Sequence, residues 1–143
     1  MKKRSVLSSV LMAAALAFTG LTVMATPAQA SQAEAQRICG SGYQFLKYMG
    51  TEKSIGAYLF YNSANGNNCA VGMHQYTAVG VRTKTNVWIQ RQSDLRKVID
   101  EGSYAYYAGP VYLYARNTCV KYGAYIDYNG GETTGINYWY FCG

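Results

Sequence analysis

Histidine, proline and carboxylates are all scarce in this chain, which has one His, two Pro and seven Asp or Glu among 143 residues. So few groups able to titrate near neutrality or hold a metal leave most hydrolytic and metal-dependent chemistries poorly supplied. No C-x-x-C pair occurs, and spacings of 30, 50 and 23 between the four cysteines, with His74 the sole imidazole, argue against a zinc site. Basic charge is thin as well. The formal +6 includes Lys2, Lys3 and Arg4 at the extreme N-terminus; without them ten basic residues face seven acidic ones, about +3. Only Arg91, Arg96 and Lys97 stand close together, so no cationic stripe matches a phosphate backbone and nucleic acid is not an expected partner.

What is present first is an export pattern. The basic start is followed by an apolar stretch from Val6 to Val23 and then by Ala28-Gln29-Ala30. This order reads as a secretory signal over residues 1–30, cleaved before Ser31, with residues 31–143 forming a single mature β-rich domain. A membrane helix is the competing reading of that stretch, but Pro27 interrupts a continuing helix and small residues dominate its end. No later segment is long or apolar enough to cross a bilayer, so no membrane association is expected after cleavage.

The second abundance is aromatic. Fifteen Tyr, two Trp and three of the four Phe follow residue 30, which excludes disorder. Apolar and aromatic runs at Tyr43 to Met49, Ser54 to Tyr61, Cys69 to Thr77, Ala78 to Gln90 and Tyr104 to Ala115 read as strands. Gly50 to Lys53 reads as a tight turn, and Asn62 to Asn68 as a loop whose Asn65-Gly66 pair suits a hairpin. From Val79 to Ile89 the odd positions are apolar while Arg82, Lys84 and Trp88 take even ones, so one face is dry. Gly109-Pro110 must lie at an edge, a bulge or a bend, because proline cannot donate to a ladder. Residues Ser31 to Ile38 suit a helical turn or a lead-in, and Leu95, Val98 and Ile99, between Ser93 or Asp94 and Gly102, suit one short helix or a loop. The expected fold is all-β and mostly antiparallel, a small disulfide-braced sandwich or barrel with room for one short helix.

An even number of cysteines in a small exported domain predicts two disulfides and no free thiol. Asn129 to Glu132 is a turn signal between Cys119 to Tyr128 and Thr133 to Phe141. A hairpin folded at Gly130-Gly131 opposes residues whose numbers sum to 261, which joins Cys119 to Cys142 and, by elimination, Cys39 to Cys69. The same register puts Val120, Tyr122, Trp139 and Phe141 on the core side and Lys121 against Tyr140 on the other, with a cation over a ring.

Several fragments carry a resemblance: Cys39-Gly40-Ser41-Gly42-Tyr43, Tyr61-Asn62 leading to Asn68-Cys69, Tyr106 to Val111, Cys119-Val120-Lys121 and the terminal Cys142-Gly143. In this order they resemble the spore-associated protein A family of actinobacteria over nearly all of the mature domain. The resemblance implies a small exported protein found with spores and in the medium, without established catalytic residues. Tyr112, Tyr114, Tyr122, Tyr125, Tyr138 and Tyr140 depart from the family's later half, which is richer in glycine, alanine and serine.

The resulting expectation is a secreted, non-enzymatic protein of the spore or cell surface, structural or adhesive, whose partners are wall or spore-surface components or another protein. No catalytic residue, metal ligand or cofactor is expected. His74 reads as an ordinary packed or surface residue, and no two of Asp94, Asp100, Glu101, Asp127 and Glu132 are predicted to converge as a glycosidase pair. Outward tyrosines at Tyr104, Tyr106, Tyr112, Tyr114 and Tyr140 are the candidate binding residues, against the plainer reading that they complete a small core and its rim. A secreted inhibitor of a hydrolase or an antimicrobial toxin, acting through the Asn62 to Asn68 loop, and a glycan-binding module are the alternatives.

Overall fold

The computed structural model describes residues 27–50 and 54–142. Residues 1–26 of the export reading over residues 1–30, and residues 51–53 of the turn expected at Gly50 to Lys53, therefore lie outside the described residues. A helix, α1 (Pro27–Cys39), precedes eight strands: β1 (Gln44–Gly50), β2 (Ile55–Asn62), β3 (Asn67–His74), β4 (Thr83–Arg91), β5 (Lys97–Tyr104), β6 (Tyr107–Tyr114), β7 (Val120–Ile126) and β8 (Glu132–Gly135). They form two antiparallel four-stranded sheets, ordered β1-β2-β3-β6 and β5-β4-β7-β8. The chain is an all-β sandwich with one short helix.

The apolar runs of β2 and β3 are buried on both faces. On one face Ile55, Leu59 and Ala70 meet Val87, Ile89 and Ala124 of the second sheet. On the other face Tyr58, Phe60, Val71 and Met73 lie beneath Ala35, Ile38 and Cys39 of α1. The i, i+3, i+4 spacing of those three helical residues makes the stripe that docks. The helix stops where Gly40, at φ +102°, donates its N–H to Gln36 O at 3.0 Å. The Cys39–Cys69 disulfide ties its last residue to β3, and Cys119–Cys142 ties the start of β7 to the C-terminal segment. Each such link restricts the unfolded chain and contributes roughly 3 to 4 kcal/mol.

Gly109-Pro110 falls on the edge strand of the first sheet and forms a bulge. Ala70 opposes Val111 while Gly72 opposes Ala108, so Val71 faces two residues of β6. Gly109 takes φ +95°, and its N–H leaves the ladder for Asp100 Oδ2 of the other sheet at 2.7 Å. A side chain there would meet Ala70 O at 2.9 Å, so glycine is required twice over.

Four expectations are corrected. No helix occupies residues 93–102. Asp94 binds the Arg91 guanidinium, which holds its carboxyl down at about 2, and accepts the Arg96 N–H, closing a turn with Leu95 at φ +57°. The chain then pairs with β4, so Val98 packs on the core and Ile99 points outward. Second, β4 begins only at Thr83: Val79 and Val81 lie in the connection after a short helical turn, Tyr76–Ala78, and are exposed.

Third, the final hairpin has another register. Gly123 opposes Gly135 and Ile126 opposes Glu132, with Asp127 to Gly131 as the turn, so opposed numbers sum to 258. The strands separate after Ile136, whose N–H bonds Tyr122 O, and meet again only at Val120 and Tyr140. Val120 and Tyr122 are buried as expected, but Trp139 lies outside with Lys121 and Phe141 is only half-buried. The loop at Asn62 to Asn68 is likewise shorter, four residues from Ser63 to Gly66, with Gly66 alone in the left-handed region.

Two buried polar groups give measurable consequences. His74 is 2% exposed; its Nδ1 lies 3.1 Å from Ala78 O and its Nε2 2.8 Å from Thr85 Oγ1. Burial lowers its pKa against the opposing pull of the Ala78 and Ala105 carbonyls. The unfolded chain therefore takes up the proton first, near pH 6.5, so stability is complete above that value and falls as the pH drops toward the lower folded pKa. Chemical denaturation from pH 7 to 5 should show the stability gap between the natural chain and His74→Gln narrowing; a constant gap contradicts this. Tyr122 OH is fully buried with no partner among the described residues, and its pKa is raised by that burial. Tyr122→Phe removes a desolvated hydroxyl and should leave unfolding free energy unchanged or raise it by about 1 kcal/mol in urea titrations. A loss above about 1 kcal/mol would reveal a partner for that hydroxyl.

Candidate binding face

The five tyrosines singled out by alternation do not meet on one surface. Tyr104 turns its hydroxyl to Asp100 Oδ1 at 2.7 Å, bracing the carboxylate that holds the Gly109 bulge, and that hydrogen bond raises its pKa. Tyr106 stands exposed at the tip between β5 and β6. Tyr112 and Tyr114 lie on the helix side of the first sheet, where Tyr112 packs on Tyr43 at 5.6 Å and donates to Cys39 O at 3.0 Å. Tyr140 belongs to the C-terminal segment, packs on Tyr138 and Phe141, and carries Lys47 over its ring at 5.9 Å. Tyr104, Tyr112 and Tyr140 therefore have packing or bracing roles, while Tyr106 and Tyr114 stand exposed on different parts of the surface.

The outer face of the second sheet differs. It is built from alternate residues of four strands, and α1 packs on the opposite side of the sandwich. One row contains Ile99, Trp88, Gly123 and Gly135; its neighbour contains Lys97, Gln90 and Lys121. A third carries Glu101, Asn86, Tyr125 and Thr133. Trp88 leans across the glycines: a Cβ at Gly123 would stand 2.8 Å from its Cζ2, and one at Gly135 3.5 Å away. The paired glycines thus make a floor on which an indole can lie.

Lysines cover both indoles. Lys97 Nζ is 4.6 Å from the Trp88 ring centre, and Lys121 Nζ is 4.7 Å from that of Trp139. The cation over a ring expected for Lys121 is present, with Trp139 rather than Tyr140 beneath it. Lys84 is paired with Glu101 at 3.2 Å, and Asn86 Nδ2 bonds the same carboxylate, which together lower the Glu101 pKa. Asn86 Oδ1 is buried with no partner among the described residues. Both tryptophans of the chain, Trp88 and Trp139, lie on this face. The even-numbered phase of Arg82, Lys84 and Trp88 was the sequence signal for it, and the abundance of tyrosine obscured that signal.

The remaining titratable groups are separated. Glu132 bonds the backbone and hydroxyl of Ser54, Asp100 serves Tyr104 and Gly109, and Asp94 serves Arg91. Among the described residues, no three of His, Cys, Asp and Glu gather as a metal site.

No family model matches the chain, and no solved structure matches it. The chain is 38% identical over 128 residues to spore-associated protein A of Streptomyces coelicolor, covering 87% of this chain and 79% of that protein. Identity of that extent joins the two by descent rather than by shared composition: the chain belongs to the spore-associated protein A family.

Proposed function

We propose that the protein is exported, forms its disulfides outside the cytoplasm and is held at the spore or cell surface as a non-enzymatic structural or adhesive component. The observation that carries this reading is the kinship with a protein named for its association with spores, along most of both chains. Two disulfides without a free cysteine among four suit an oxidising compartment. The basic and apolar order of residues 1–30 suits passage across a membrane and removal before Ser31. Binding to surface components supplies a use for a rigid β-sandwich whose polar and aromatic groups need no reactive partner.

Fractionating sporulating cultures of the producing organism tests this. Immunodetection should find the protein in the medium and on washed spores or walls, with Ser31 as the N-terminal residue by sequencing. A protein confined to cell lysate, or wholly soluble and absent from washed spores and walls, overturns the reading.

A further inference from the structure

We infer that the outer face of the second sheet binds an anionic polysaccharide, with Trp88 and Trp139 as stacking planes and Lys97 and Lys121 as the groups that meet its charges. The two sheets are finished differently. α1 packs across the apolar outer face of the first, whereas on the second Ile99 is exposed and, among the described residues, the half-buried Trp88 and Trp139 carry lysine side chains over their rings instead of a packed element.

Charge selects the kind of occupant. Lys84 is neutralised by Glu101, but Lys97 and Lys121 have indole rings and, among the described residues, no carboxylate beside them. The face therefore carries two uncompensated positive charges beside two aromatic planes. A nucleic acid needs a longer run of cations along its backbone than two lysines supply. A second copy of this chain, set face to face, would bring like charges together, so self-association is opposed.

Shape narrows the choice further. Lys121 and Gly123 are two residues apart on β7, so the row of Lys97 and Lys121 runs about 7 Å from the row of Trp88 and Gly123. A single chain of a few rings spans both. Sugar rings present a flat C–H face to an aromatic plane and hydroxyls at their edges, and the amphipathic indole suits that combination.

The lysines also explain why the sugar should be acidic. In the free protein each ammonium rests near an indole in a weak, solvent-exposed contact. A carboxylate on the incoming ring attracts the ammonium away from the indole and opens the plane for stacking. A neutral sugar must displace the same lysine with nothing to offer it.

The reading goes beyond surface association and is tested separately from it. Because the chain has only two tryptophans and both lie here, intrinsic tryptophan emission reports on this face alone. The probes are polygalacturonate and the same polymer fully methyl-esterified, which share ring and linkage and differ in charge. Polygalacturonate should change the emission and bind at least about tenfold more tightly than the ester. The double variant Lys97→Ala, Lys121→Ala should lose about tenfold or more of that binding and the preference with it, while Lys47→Ala, on β1, should retain both. Far-ultraviolet circular dichroism checks that the variants remain folded. Equal binding of the two polymers, binding that survives loss of both lysines, no binding of either, or concentration-dependent dimerisation that shields the tryptophans would each overturn the inference. The fractionation result stands or falls independently of these outcomes.

Discussion

The structure depends on the need to cover β2 and β3 twice. Each alternates apolar side chains to both faces: Ile55 and Leu59 one way, Tyr58 and Phe60 the other. Burying a side chain of that size stabilises the fold by about 1.5 to 3 kcal/mol, so neither face can be left to water. The second sheet supplies one cover. The other is a single helix docked through Ala35, Ile38 and Cys39, a contact small enough that its position benefits from a covalent tie. The Cys39–Cys69 link joins the cover to the strand beneath it, and the Tyr112 hydroxyl bonds the helix end from the side.

The second sheet has no such requirement. Thr85, Val87 and Ile89 face inward, while Lys84, Asn86, Trp88 and Gln90 face outward. One dry face can be satisfied by the first sheet alone, which leaves the other available. That face is nevertheless shaped: two opposed glycines receive an indole, and the lysines stand over rings instead of beside carboxylates. Function is therefore sought on the side of the sandwich that folding does not consume, while most of the tyrosines that dominate the composition serve packing, bracing and the rim.

Features with a local cause were legible in the sequence. Strand alternation in β4 and β6 and the special position of Gly109-Pro110 follow from one or two residues and their immediate neighbours. The helix at 93–102 failed because Leu95, Val98 and Ile99 satisfy a helical spacing and a strand edge about equally, and Arg91 captures the carboxylate that would have capped it. The last hairpin failed for a longer-range reason. Its register sets Gly135 against Gly123, where the indole of Trp88, 35 residues earlier in the chain, leaves no room for a side chain on Gly123. The register in turn moves Trp139 from the core to the outer face, so one missed contact displaced half of the candidate site.

The central claim is that one outer face is closed by the helix and the other stands open. Hydroxyl-radical footprinting of the folded protein, read residue by residue by mass spectrometry, tests it most directly. The account predicts oxidation of Trp88, Trp139 and Ile99 and protection of Tyr58, Phe60 and Val71. Protection of both tryptophans, or oxidation of Tyr58 and Phe60 at comparable rates, would contradict it.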